Sequence, residues 1–441
     1  MSSSRLSLRL DSVHLPDPWR LLQIQVVQSF AEKSSVARAF CLQSFHLNAR
    51  RHNGLIPMAK SMSDLERLPG EDPFIVARGG FYRRWLSMID DIEELEDIVA
   101  TLGGTTEDKW VPVWREAGAR HEAAGDRLEA QGAVEAAKHQ FLLAKTYYAI
   151  GRFPAEISPL KAEISADCAR AYRKASSHLD PPMESLDIVC EGKGFRAHFR
   201  APSSDSPAPA VLIMCGADVF KEDRGWAAEL ALEAGLASLV MDAPGTGENP
   251  FPWEPGSVKA WVAAIDALMA RPEVDQTRIG AFGISRGGYS VMQLAGTVPE
   301  RVKAVVAIAG HPFGYEMSEH EMATIAAARN RRSNHRFGPP DGPPSFPTWS
   351  VEKEREIFAG WSLSSLGLVE RINMPVLMIN GDNDHLAPVG NIHYMLESGP
   401  VGTRSAKVYK GSGHCAFEHQ TEWGPAAFRW LERKLSTDQA H

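Results

Sequence analysis

Ser285 stands between two glycines in "IGAFGISRGGYSVMQLA", residues 279–295. A serine hydroxyl is a weak nucleophile. It attacks a carbonyl only when a base removes its proton and a third group orients that base. Two later stretches can supply those partners. "NGDNDHLAP" (Asn380–Pro388) offers two carboxylates, Asp382 and Asp384, and "GSGHCAF" (Gly411–Phe417) offers His414 among small residues. Together they have the makings of acyl transfer through a covalent serine intermediate, with either carboxylate as the orienting acid.

That chemistry needs a particular turn. "RIGAFG" reads as a buried strand and "GGYSVMQLAG" as the helix after it. A strand that becomes a helix in one residue strains the serine backbone, and Gly283 and Gly287 remove side chains that would collide. The turn lifts Ser285 Oγ above the carboxyl ends of the strands, where open α/β sheets bind ligands. The amide of Arg286 then opens a helix and can face a developing oxyanion. A second oxyanion donor is expected after the third strand, in "LIMCGADVFKED". The amide of Ala217, following Gly216, is the choice there, with Asp218 fixing the loop or capping the next helix. "DAPGTGENP" (Asp242–Pro250) contains Gly-x-Gly but neither a third spaced glycine nor a P-loop lysine. It reads as a tight loop over the site, from which Glu248 can face substrate.

The elements that hold these residues are legible in outline. After Pro182, an antiparallel hairpin over "ESLDIVCEGKGFRAHFRAP" is followed by six short apolar runs alternating with helices. Strands buried on both faces look like such runs, and their alternation with helices implies a mostly parallel sheet. Ser285 follows the fifth strand, the acids the seventh and His414 the eighth. That chain order, Ser–Asp–His, is the one expected of an α/β-hydrolase. Between Gly79 and Ser177 the pattern is helical instead, with stops at Gly103-Gly104 and Gly132. One helical hairpin of tetratricopeptide type appears there without a second copy. The expected organisation is an extension at 1–60, a helical cap domain at 61–182 and an α/β catalytic domain at 183–441, with a helical insertion at 311–371 after the sixth strand. Insertions of that length are uncommon and often functional. Pocket walls are expected from Trp110, Tyr147, Tyr148, Phe153, His311, Phe313, Tyr315 and Glu316.

Totals exclude several classes. A chain of 441 residues with net charge −8 gives no reason to expect nucleic acid or an anionic membrane as partner. No apolar run spans a bilayer. The five cysteines are scattered and form no CxxC pair, so no disulfide framework or zinc site is expected. Neither a metal nor a cofactor is expected, and the partner is a small-molecule substrate in a reducing cytoplasm. The helical domain adds surface on which a homodimer can form. Residues 1–60 carry eight Arg and Lys against Asp11, Asp17 and Glu32 and are serine-rich. Such a segment reads as a poorly ordered tail or an early start ahead of Met58 or Met62, with an organelle-targeting segment as the other reading.

The combination resembles one branch of the α/β-hydrolases, in which an N-terminal helical domain lies over the active site. 2,6-Dihydroxypseudooxynicotine hydrolase, the yellowish-green-type hydrolases that shorten polyketides, and the fermentation–respiration switch protein belong to it. The resemblance runs from about Phe81 to Leu435. It rests on the Trp110…Trp114 helix, "FLLAKTYYAIGRFP", "CGADVFKED", "DAPGTGEN", "GISRGGY", "NGDNDHLAP" and "GSGHCAF". Cys215-Gly216 departs from the branch's usual Gly-Gly pair. The family pattern Gly-x-x-Asp-x-apolar-x-Pro falls on Gly381, Asp384, Leu386 and Pro388, which implies Asp384 as the acid and Asp382 as a turn residue. The resemblance also implies hydrolysis, in several relatives of a carbon–carbon bond beside a ketone, and an assisting carboxylate soon after the sixth strand, where Glu316 lies. A β-diketone, an acyl-phenol or an ester each provides a competent leaving group. Ester or thioester hydrolysis is therefore the alternative. A non-catalytic binding protein is a third reading, opposed by the complete set of reactive residues.

Overall fold

The computed structural model describes residues 89, 91–104, 106–153, 158–337, 349–400 and 402–436, with residues 331–337 as backbone only. The extension at 1–60 and most of "FGPPDGPPSFP" lie outside the described residues.

Among the described residues four helices come first: α1 (Ile92–Ala100), α2 (Glu107–Ala130), α3 (Val134–Arg152) and α4 (Pro159–Ser176). Their starts follow local chemistry. The Asp91 side chain accepts the Glu94 amide at 3.0 Å and Ser158 the Lys161 amide at 3.2 Å, each satisfying a donor that an α-helix leaves unpaired. Thr106 begins α2 through its carbonyl, which accepts from Trp110 N at 2.8 Å, and makes no side-chain cap. Gly132, at φ +74°, ends the α2 segment in the left-handed region. Glycines also set the spacing within the bundle: a Cβ at Gly118 or Gly125 would enter the Tyr148 or Phe141 ring. Trp110, Trp114, Phe141, Tyr147, Tyr148 and Ile164 are buried between these helices.

The sheet has eight strands: β1 (Glu184–Cys190), β2 (Lys193–Arg200), β3 (Ala208–Met214), β4 (Ala237–Met241), β5 (Val274–Ile284), β6 (Ala304–Ile308), β7 (Val376–Gly381) and β8 (Arg404–Tyr409). Their order is β1-β2-β4-β3-β5-β6-β7-β8. β2 pairs antiparallel with β1 and β4, and all the other pairs are parallel. Strands β3–β6 are buried on both faces because helices cover both. α6 (Val258–Met269), α7 (Arg286–Thr297) and α10 (Gly390–Glu397) pack on one face, α5 (Gly225–Glu233) and α11 (Gln420–Leu435) on the other. The insertion after β6 carries α8 (Glu319–Phe337) and α9 (Val351–Trp361). All the described residues fall within one compact unit. Among them no helix is long and apolar enough to cross a membrane, and Cys168, Cys190, Cys215 and Cys415 are buried free thiols.

A buried ionic network joins the helices to the sheet. On α3, Arg152 reaches Asp223 at 2.6 Å and Glu222 at 3.3 Å, just past β3. Lys221 beside them contacts Glu222 at 3.0 Å, Asp242 at 2.9 Å and Glu248 at 2.7 Å. Burial alone would strip the Lys221 ammonium of its proton, but three carboxylates outweigh that and raise its pKa.

Candidate active site

Ser285 sits between β5 and α7 with φ 59° and ψ −117°. A non-glycine residue held there stores about 1–3 kcal/mol of strain. Neighbouring chain holds it. Ser285 N donates to Ile308 O on β6 at 2.7 Å, and its carbonyl accepts from Tyr289 N at 3.1 Å. A Cβ at Gly283 would strike the Gly287 carbonyl, and one at Gly287 the Met214 carbonyl. Both glycines thus permit backbone-on-backbone packing, as the Gly-x-Ser-x-Gly spacing anticipates.

Ser285 Oγ lies 2.8 Å from His414 Nε2, and His414 Nδ1 lies 2.7 Å from Asp384 Oδ2. The structure therefore brings together three residues separated by up to 129 positions in the chain. Asp384 is held in turn. Its Oδ1 accepts from Leu386 N at 2.7 Å and Ala387 N at 3.1 Å, and its Oδ2 accepts from Asn380 Nδ2 at 2.8 Å. Burial would raise its pKa, but His414 and these donors lower it on balance. For His414, burial opposes the charged ring, while the Cys415 sulfur and the Asp384 carboxylate favour it and prevail. Its basicity is therefore raised, as suits a group that must take a hydroxyl proton. Asp382 bonds instead to Gly411 N at 2.6 Å, bridging the two loops as a turn residue.

The loop expected to carry the second oxyanion donor passes close by. A Cβ on Gly216 would lie 3.5 Å from Ser285 Cβ, which brings the start of the Ala217 loop against Ser285. Arg286 is the first residue of α7, so its amide has no partner within the helix. His311 follows β6. Asn391 Oδ1 accepts from Phe313 N at 2.8 Å, so Asn391 Nδ2 is the group facing His311 Nδ1 at 3.1 Å. Nδ1 is then the acceptor, and the ring's proton sits on Nε2. Burial, then Arg329, lowers its pKa to about 3, so this imidazole stays neutral.

Several expected pocket residues lie elsewhere. Tyr147 and Tyr148 are buried in the helical core, with hydroxyls donating to Glu94 and Glu122, each at 2.9 Å. Consecutive helix residues point about 100° apart, and here both directions meet packed neighbours, including Gly118 under the Tyr148 ring. Glu248 is occupied by Lys221, and its own amide donates to Asp242 Oδ2 at 3.0 Å. Gly247 lets the loop wrap that carboxylate: a Cβ there, at φ +53°, would strike it. Glu316 is exposed and joined to the Ser285 group by no hydrogen bond or ion pair among the described residues. Trp110, Phe153 and Phe313 are buried, and Tyr315 donates to Glu321 at 2.8 Å.

Asn380 and Asn391 were not anticipated. Asn380 Oδ1 accepts from Cys415 N at 3.0 Å while its amide holds Asp384, tying the acid loop to the histidine loop. An asparagine at the end of an apolar strand was the available signal.

A serine on a strained strand–helix turn, hydrogen-bonded to a histidine within an eight-stranded mostly parallel sheet, fits an enzyme of the α/β-hydrolase class. The chain belongs to the Esterase FrsA-like family, whose model matches residues 85–436. Esterase FrsA of Vibrio cholerae serotype O1 is 24% identical over 379 residues, covering 80% of this chain and 86% of that protein. 2,6-Dihydropseudooxynicotine hydrolase of Paenarthrobacter nicotinovorans is 23% identical over 334 residues, covering 75% and 86%. Among solved structures, 2,6-dihydroxy-pseudo-oxynicotine hydrolase superposes with a TM-score of 0.63 at 22% identity, over 77% of this chain and 92% of that one. AbyA5 does so with 0.60 at 18% identity, over 85% and 99%. The branch resemblance and the fold expected from the sequence are met.

Proposed function

We propose that the protein hydrolyses an acyl compound through an acyl-enzyme on Ser285, and that the bond broken is the carbon–carbon bond beside the ketone of a β-diketone or acyl-aromatic substrate. The observation that carries the reading is the continuous hydrogen-bonded line from Asp384 through His414 to Ser285 Oγ. Ser285 Oγ attacks the ketone carbon as His414 Nε2 takes its proton. Asp384 holds the Nδ1–H and offsets the imidazolium charge. The oxyanion rests on the amides of Ala217 and Arg286. Collapse breaks the carbon–carbon bond, and the electron pair leaves on an enolate or electron-rich ring carbon, which His414 protonates. Water, deprotonated by His414, then releases the acid and Ser285. His311, neutral with its proton on Nε2, donates to a substrate oxygen in the same cleft.

Ester hydrolysis is the second reading. The family's name favours it, and an alkoxide leaves more easily than carbon. Product analysis by mass spectrometry decides between them. Wild type and Ser285→Ala are each incubated with matched aromatic β-diketones and aryl esters. Diketone cleavage to an acid and a shortened ketone, lost in the variant, is expected. Ester cleavage alone moves the protein to the second reading, and turnover surviving Ser285→Ala overturns both.

A further inference from the structure

Several buried cations in this protein are met by acceptors. Arg152 meets Glu222 and Asp223, Lys221 meets Asp242, and Arg404 meets the carbonyls of Met395, Val369 and Ile372. Buried Arg224 leaves Nε and Nη1 without an acceptor, and Arg286, half-buried, departs from the pattern as well. Its guanidinium carbon lies 4.4 Å over the Trp253 ring, and it has no hydrogen-bond or ion-pair partner among the described residues. Trp253 is fixed from behind, 5.0 Å from Trp361 and 6.1 Å from Tyr289, whose hydroxyl donates to Trp361 O at 2.7 Å. The guanidinium is thus parked on a rigid aromatic floor with its planar N–H fork unused, one residue from the nucleophile. A second cation is near. Arg329, on α8, bears electrostatically on both Arg286 and His311. Arg329 is paired to Glu354 at 2.6 Å, so the three groups carry one uncompensated positive charge.

We infer that Arg286 is a specificity determinant that binds a carboxylate carried by the substrate close to its scissile acyl carbon. Arg286 directly follows Ser285, with adjacent Cα atoms about 3.8 Å apart, so its side chain starts beside the reacting bond and can meet a group carried close to it. A planar fork lying on an aromatic face matches the two oxygens of a carboxylate. Burial, and then the like charge of Arg329, lowers the Arg286 pKa to about 10, a penalty that a bound anion relieves. Hydrophobic packing alone explains the stacking on Trp253 but gives the N–H donors no acceptor among the described residues.

The inference rests on Ser285 as the nucleophile of this cleft, so its test must not depend on turnover. Calorimetric titration of Ser285→Ala with monomethyl succinate and with dimethyl succinate compares a carboxylate with its neutral ester. The anion should bind about 10- to 100-fold more tightly, as a charge-assisted pair would give. Adding Arg286→Met should abolish that ratio, and Arg286→Lys should keep part of it, since it retains charge without the fork. If either substitution perturbs folding, potassium chloride titrated against the Ser285→Ala protein gives the same information, because screening should lower the ratio. Equal binding of the two probes, or a ratio unmoved by Arg286→Met, overturns the inference. Anion preference without hydrolysis of any ester or diketone by wild type overturns the proposed function instead and leaves this inference standing.

Discussion

His414 and Asp384 make a pH prediction that follows from sign alone. In the proposed mechanism the working form of His414 is the neutral ring, and its pKa is raised above that of free imidazole. kcat/KM should therefore rise with pH along a limb displaced upward. Asp384→Asn removes the carboxylate's pull while burial, which lowers the pKa, remains. The limb should move to lower pH as kcat falls about 1000- to 10,000-fold. A pH–rate profile reads both, and an unmoved limb would show that Asp384 does not act on His414. Asn380→Ala should lower kcat less and leave KM nearly unchanged, because Asn380 touches Asp384 and the Cys415 amide but holds them through one charge-assisted hydrogen bond of about 1.5–3 kcal/mol and one neutral one of about 1 kcal/mol. An isosteric Asp at 380 would put a second acid against Asp384 and should not rescue it.

Between elements, charge burial decides which contacts matter. Lys221 is 1% exposed at its side chain and faces Asp242 at 1% and Glu222 at 2%. Lys221→Met would leave carboxylates buried without their counter-ion, a loss of about 3–5 kcal/mol. Arg196→Ala, which breaks an exposed pair with Asp187 on the β1–β2 hairpin, should cost about 1 kcal/mol or less. Thermal melts of the two variants test the contrast, and equal losses would mean that the network does not hold the loops after β3 and β4. These loops carry Ala217 and wrap Asp242, so Lys221→Met should also reduce kcat. The same packing explains why "CGADVFKED" and "DAPGTGEN" are compact motifs in this chain. One supplies the cation and the other the carboxylate it neutralises.

At the scale of the whole molecule, the helices and the sheet share that network through Arg152 and Lys145, the latter 3.4 Å from Asp223. A chain cut to begin at Met183 should therefore fail to yield an active, soluble enzyme. Near-ultraviolet circular dichroism and loss of activity should report one coincident thermal transition in the full chain. Two separated transitions would mean that the helical segment unfolds on its own. What the sequence by itself determined was local in origin. Apolar runs alternating with helices specify the strands of the sheet, Gly283 and Gly287 specify the turn under Ser285, and the order Ser285, Asp384, His414 follows the strand ends. Tertiary structure alone decided what depends on which face meets which neighbour. Tyr147 and Tyr148 carry the same chemistry whether they line a pocket or fill a core, and only the packing of α2 and α4 around α3 puts them in the core. Glu248 looked free until Lys221, 27 positions earlier in the chain, folded onto it. The guanidinium of Arg286 acquired its proposed meaning only when Trp253 came beneath it and, among the described residues, no carboxylate came beside it, because a charge is paired or unpaired in space and not along the chain.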